Sequence, residues 1–242
     1  MIKFIAKSTQ LNNLVKSLQL TKKFFVSSLI VGEAYSGKKS VAQYIMPEAP
    51  LVNGEDLQSV LETLAHHNEV IIYNFTKISN FSLLNFDNKR IIATALYQPK
   101  DKAVDDLFGY IYTLPPLHER QEDAIALAEV FIERAKKVLS VDHDVSIKFE
   151  ELDLTQNSKS LEKSIYKTLL LKDIEKDEIE KILYNFFLEN LSGDNDYKKY
   201  LHLFERPLIE AGLKKYKSQL KLAGILGINR NTLRKKANEY GL

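Results

Sequence analysis

The stretch Pro207–Leu242, PLIEAGLKKYKSQLKLAGILGINRNTLRKKANEYGL, holds two helical patterns around a turn centred on Gly227. From Gln219 to Leu226, the residues Leu222, Ala223 and Leu226 share one face, with Ala223 small where two helices must cross closely. Gly227 follows the last periodic residue, where left-handed backbone favours a residue without Cβ. Asn229 predicts the N-cap of a second helix and Gly241 its stop. Within that helix Leu233, Ala237 and Tyr240 recur at i, i+4 and i+7 and face inward. Arg230, Thr232, Arg234, Lys235 and Asn238 are left on the outer face. The pattern is a helix-turn-helix whose second helix suits a major groove.

Charge points the same way. No acidic residue lies between Glu210 and Glu239, whereas Lys214, Lys215, Lys217, Lys221, Arg230, Arg234, Lys235 and Lys236 are basic. A folded surface of one sign supplies the sequence-independent phosphate attraction that dominates DNA affinity. The formal net charge of the 242-residue chain is only +2, so the remainder is mildly acidic. A localised basic face is therefore expected rather than a general basic coat.

These residues also resemble a known family. GINRNTLRKKANEYGL, Gly227 to Leu242, resembles the end of the Fis family, which is also the C-terminal domain of NtrC-type transcriptional activators. The segment Asp177 to Leu213 is similar to the paired dimerisation helices of Fis. The resemblance implies a homodimer through helices of residues 174–191 and 197–216, with double-stranded DNA as the partner. It places DNA contacts at Ser218, Asn229, Arg230, Thr232, Arg234 and Lys235, and the basic pattern adds Lys221 and Lys236 as phosphate contacts. Leu220 departs from the threonine usual at its position, which leaves a backbone contact there open.

Upstream, Phe24 to Val31, FFVSSLIV, reads as a buried strand, preceded by a short amphipathic helix over Leu11 to Leu20. GEAYSGKKS follows, then the helical VAQYIM: strand, glycine loop, helix, the setting of a phosphate-binding loop. Gly32, Gly37 and Lys38 match its GxxxxGK pattern, but Lys39 stands where such loops carry a Ser or Thr for magnesium. VIIY (Val70–Tyr73) and RIIATA (Arg90–Ala95) are further strands, so an α/β unit with a parallel sheet is expected.

LPPLHER (Leu114 to Arg120) and the helix after it, about Glu122 to Lys137, resemble the AAA+ domain of NtrC-type, sigma-54 enhancer-binding activators. So do IVGEAYSGKKSVAQYI, the strand APLVN, RIIATA, and NSKSLEKSIYKTLLL, the last similar to their lid with Lys159 at the arginine called sensor II. The departures decide the chemistry. Hydrolysis needs a carboxylate pair at the tip of the VIIY strand, and Tyr73–Asn74 stand there. Leu96 occupies the sensor I asparagine, DLFGYIYT contains no arginine finger, and the chain between Lys38 and Val70 is too short for the loop that engages sigma-54. A reduced AAA+ -like domain without ATP hydrolysis is expected. Three segments result: a degenerate AAA+ -like domain at 1–145, a lid remnant at 146–171 and a Fis-like domain at 172–242.

The reading is a non-enzymatic, sequence-specific transcriptional regulator of the bacterial cytoplasm, associated with the nucleoid. The alternative is an adaptor that docks on another regulator through the AAA+ -like domain. No cofactor is expected, and nucleotide held by Gly32, Gly37 and Lys38 stays open. The chain has no cysteine, which excludes disulfides and thiolate metal sites and suits a reducing compartment. His66–His67 lack the i, i+4 spacing of a helical metal pair, so no metal is expected. The N-terminus has no uninterrupted apolar core of a signal peptide and no run long enough to span a membrane.

Overall fold

The computed structural model describes residues 4–141, 149–172 and 174–242, which divide into two compact units, Met1–Asp173 and Ile174–Leu242. The first opens on α1 (Thr9–Phe24), whose N-cap Ser8 accepts from the amide of Leu11 and whose last turn carries Lys22 and Lys23 against the helix dipole. This helix is longer than its apolar spacing suggests. It takes up Phe24, 71% exposed, and the chain turns at Phe25 with φ 54°. The first strand is therefore Ser28–Val31 (β1), and the two phenylalanines expected in it lie outside the sheet.

After β1 come α2 (Lys38–Ile45), β2 (Leu51–Asn53), α3 (Leu57–His66), β3 (Glu69–Tyr73), β4 (Arg90–Ala95), the short α4 (Lys102–Asp105) and β5 (Tyr110–Thr113). The strands pair in the order β2-β3-β4-β1-β5, every pair parallel. Parallel pairing needs crossovers, and these put cover on both faces. Side chains alternate accordingly. Leu29, Val70, Ile72, Ile91 and Ala93 enter one core with Val60, Leu64 and Phe75, while Ile30, Ile71 and Ile92 enter the other with Leu18, Val41 and Leu114. Apolar strand sequences without polar alternation follow from burial on two sides. At the start of β4, Arg90 is 1% exposed, its guanidinium donating to Glu69 (3.0 Å) and to the Leu18 carbonyl (3.3 Å).

Helix α5 (Gln121–Leu139) follows the LPPLHER segment, and α6 (Ser158–Lys172) packs along it. Ala124, Ala128 and Ala135 give the close approach that Leu161, Ile165 and Leu169 fill. The expected boundary at residue 145/146 lies in 142–148, outside the described residues.

The second unit is all helical: α7 (Lys176–Asn190), α8 (Asp196–Tyr200), α9 (His202–Tyr216), α10 (Gln219–Leu226) and α11 (Arg230–Glu239). Its core is small, with Ile209, Leu222, Ala223, Leu233 and Ala237 buried. Gly212 of α9 is a second close crossing point beside the buried Ala223: a Cβ there would lie 2.4 Å from Leu222 Cδ1. Helix α7 buries none of its residues and leaves Ile179, Ile182, Tyr184 and Leu188 exposed. Its Phe186 and Phe187 meet Tyr200 of α8 at 5.6 Å between ring centres. Among the described residues no helix is long and apolar enough to cross a membrane.

Candidate nucleic-acid interface and phosphate loop

The helix-turn-helix is built by local chemistry. Ser218 caps α10, its hydroxyl accepting from the Lys221 amide at 3.3 Å. Gly227 ends the helix with φ 65°, and the Ile228 amide reaches back to the Ala223 carbonyl at 3.1 Å, closing the last turn. Asn229 caps α11 from extended backbone, its Oδ1 accepting from the Asn231 amide at 2.8 Å. Leu233 and Ala237 are fully buried, which fixes the outer face. Arg230, Thr232, Arg234, Lys235 and Asn238 are all exposed on it.

Arg230 and Arg234, one turn apart, make no hydrogen bond or ion pair among the described residues, so both guanidinium forks are free. Lys235 lies 4.0 Å from Glu239 with both side chains in solvent, a pair worth little. Lys221 lies over the Tyr216 ring at 5.6 Å and keeps its charge at the surface. Lys236 differs from the others. Its ammonium sits on Glu205 of α9, 2.6 and 2.7 Å from the two carboxylate oxygens, so its charge is not free for the phosphate contact expected of it. The Tyr240 hydroxyl donates to the same carboxylate at 2.7 Å. These bonds hold the Glu205 carboxyl below its usual range, Lys236 acting first and Tyr240 second. The same bond to Glu205 pushes the Tyr240 phenol up to about 12. Spacing could not show this network, because its members lie 31 and 35 residues apart.

In the first unit the loop between β1 and α2 has the expected shape. Gly32 passes so close to the Leu114 carbonyl that a Cβ would lie 2.5 Å from its oxygen, and Gly37 has φ 102°. Lys38 folds its ammonium back onto the carbonyls of Gly32 (2.8 Å) and Glu33 (2.6 Å), and burial lowers its pKa to about 8. The rest of the loop is held from outside. Asn157 donates to the Ala34 carbonyl (3.0 Å) and to Glu33 Oε2 (2.9 Å), the Ser158 hydroxyl to the Tyr35 carbonyl (2.8 Å), and Arg120 to the Ser36 carbonyl (2.7 Å). Arg120, 3% exposed, also pairs with Asp123 at 3.2 Å. Five successive carbonyls, Gly32 to Ser36, thus accept from side chains of the protein. Lys159 reaches the hydroxyl of Tyr35 at 3.4 Å.

A cavity of about 450 Å³ opens beside this loop, lined among others by Lys38, Lys39, Tyr73, Asn74, Lys77 and Leu96. Among the described residues no carboxylate lines it. Lys39 lies over the Tyr73 ring, 4.2 Å from its centre, and Asn74 donates to Asn53 at 3.1 Å. The loop amides and Lys38 suit the phosphate end of a nucleotide. Ser40, Thr76, Thr94 and Ser158 bring hydroxyls to the lining, but the carboxylate oxygens that magnesium seeks are missing and the ammoniums of Lys38, Lys39 and Lys77 stand there instead. Among the described residues no group of three or more histidine or acidic side chains could hold a metal.

The family described as bacterial regulatory protein, Fis family, matches residues 200–240. A Fis-like DNA-binding protein of Pseudomonas aeruginosa is 40% identical over 70 residues, 28% of this chain and 67% of that protein. The DNA-binding protein Fis of Buchnera aphidicola is 38% identical over 68 residues, 26% of this chain and 69% of that one. Among solved structures, NtrX of Brucella abortus in complex with ADP superposes with a TM-score of 0.57 over 99% of this chain and 70% of its own. Its identity is 13%, so the likeness is one of fold alone.

Proposed function

Through its C-terminal unit the chain belongs to the Fis family of bacterial regulatory proteins, and from that membership we propose a dimeric, sequence-specific DNA-binding transcriptional regulator that has given up ATP hydrolysis and sigma-54 remodelling. The observation that carries the proposal is the outer face of α11, where two unpaired arginines stand one turn apart on a helix anchored by Leu233. An arginine fork reads guanine edges in the major groove, and exposed Lys221 and Lys235 add phosphate charge on either side. Asn229, Thr232 and Ser218 lie at helix starts or on the outer face, within reach of backbone phosphates.

Residues 172–242 form the DNA-binding part of this reading, residues 1–145 the AAA+ -like part and 146–171 its lid remnant. Dimerisation uses the helices of residues 174–191 and 197–216. A unit this small has few buried side chains and leaves the apolar stripe of α7 exposed, which a second copy would cover. The protein acts in the bacterial cytoplasm on double-stranded DNA and uses no resident cofactor. Its phosphate loop holds the lid onto the sheet instead of serving turnover.

The test is selection of bound fragments from a genomic library by the full chain. Enrichment of a two-fold symmetric site is the expected result. Binding equal to that of scrambled DNA would overturn it, and recovery of another regulator on the first unit would favour an adaptor.

A further inference from the structure

The Glu205 carboxylate joins two helices with different tasks. It lies on α9, within the stretch assigned to dimerisation, and its partners Lys236 and Tyr240 lie near the end of α11. All three contacts are short, 2.6, 2.7 and 2.7 Å, and the carboxylate is only 18% exposed. A charge-assisted cluster of three short bonds between half-buried groups is geometrically strict. Helix α11 is also held by Leu233 and Ala237, both fully buried in the core with Ile209 of α9 and Leu222 of α10. Apolar packing is non-directional and tolerates small rotations, whereas the hydrogen bonds to Glu205 prescribe an angle.

We propose that Glu205 is a positioning residue: through Lys236 and Tyr240 it fixes the angle of the recognition helix on the dimerisation helix, and so the spacing of the two half-sites read. This rests on the DNA-binding dimer proposed above. Spacing follows because the two recognition helices of a two-fold dimer take their separation from the angle each makes with the helix at the dyad. Lys236 serves this clasp and does not neutralise a phosphate. The depressed Glu205 carboxyl and raised Tyr240 phenol agree with a closed network at neutral pH.

Salt dependence separates the roles, since each lysine moved onto or off a phosphate changes the slope of log K against log salt by about 0.9. Binding of the full chain, Glu205→Ala, Glu205→Gln, Tyr240→Phe and Lys236→Ala is measured on duplexes whose half-sites differ only in separation, over a salt series. Melting curves and sedimentation accompany each variant. The unmodified chain should prefer one separation. Glu205→Ala should flatten that preference and steepen the slope by about one ion, because Lys236 is released. Lys236→Ala should flatten the preference with the slope unchanged. Glu205→Gln and Tyr240→Phe keep the shape of the network and carry the test if Glu205→Ala does not fold; each should flatten the preference partly. The proposal is overturned if the folded, dimeric variants keep the original separation profile. It is also overturned if Lys236→Ala lowers the slope by about one ion, as a phosphate ligand would. If the unmodified chain shows no preference for paired sites over scrambled DNA, the DNA-binding reading itself fails, which is a distinct result.

Discussion

The ammonium of Lys39 lies 4.2 Å from the centre of the Tyr73 ring. Both residues depart from what the resemblance to NtrC-type ATPases leads one to expect: a metal-binding hydroxyl at Lys39 and a carboxylate pair at Tyr73–Asn74. The two departures are one contact. The contact sets an ammonium on an aromatic face beside the loop, and neither side chain supplies the anionic oxygen that magnesium seeks.

Magnesium-dependent hydrolysis should accordingly be absent. Purified protein is expected to release no phosphate from ATP above background, since no carboxylate among the described residues lines the cavity to orient water or metal. Turnover on the order of 1 per second, abolished in Lys38→Ala, would overturn this. Exchanging Lys39 for Ser alone should not restore activity, because Asn74 and Leu96 still line the cavity.

Lys38 makes a prediction about pH. Burial lowers its pKa from 10.5 to about 8, so the unfolded chain binds more protons than the folded one between these values. Stability therefore rises with pH across 8 to 10.5, and the penalty of the buried charge is fully present below 8. Melting temperatures of the full chain and of Lys38→Met, compared over that window, should diverge in slope. Parallel curves would mean that the ammonium is solvated and titrates normally.

Arg120 joins Ser36 to Asp123 from a site 3% exposed. Replacing it with Ala strands the Ser36 carbonyl and takes the cation away from the buried Asp123 carboxylate. The expected loss is about 3 kcal/mol, the low end for a broken buried pair, because Asp123 keeps the donors of Lys7 and Ser8. Arg120→Lys should recover only part, since one ammonium cannot span Pro115, Ser36 and Asp123 together. Denaturant melts that coincide with those of the unmodified chain would show that the loop stands without this clamp.

What could be read before folding was local. The Gly227 turn, the Asn229 cap and the Leu233–Ala237 face are set by residues within one or two turns, and RIIATA coincides with β4. The parallel sheet was legible through β3 and β4, which are apolar on both faces, whereas the mostly exposed edge strand β5 carried no such signal. Contacts across long separations were not legible. Asn157 meets Glu33 across 124 residues, Arg120 meets Ser36 across 84, and Lys236 meets Glu205 across 31. A basic residue in a basic run carries no mark that its partner is an acid on another helix. Phe24 and Phe25 misled for a related reason: their apolar character matched a strand, while the preceding helix, stabilised at its end by Lys22 and Lys23, ran on through Phe24.

The exposed stripe of α7 predicts the oligomer. Ile182 is 57% exposed, so a charge there disturbs no packing within one chain. Ile182→Asp should convert a dimer to a monomer with helix content unchanged, read by sedimentation and circular dichroism. A monomeric unmodified chain, or a variant that sediments as the dimer, would remove α7 from the interface.

The outer face of α11 gives the sharpest test of function. Arg230 lies in the first turn and Arg234 one turn on, both without intramolecular partners among the described residues. Replacing Arg230 with Ala should cost about 1–3 kcal/mol at the preferred site and less on scrambled DNA, since a base-edge contact is lost only where the right base is present. Lys235→Ala should weaken both duplexes by a similar, smaller factor and lower the salt slope by about one ion. Leu233 supplies the control: fully buried, its change to Ala should cost fold stability first, about 2–5 kcal/mol. Measured together on specific and scrambled duplexes with melting curves alongside, the three variants separate readout, charge and scaffold. If folded Arg230→Ala binds both duplexes like the unmodified chain, α11 does not read the groove. The docking of another regulator then becomes the better account of the chain.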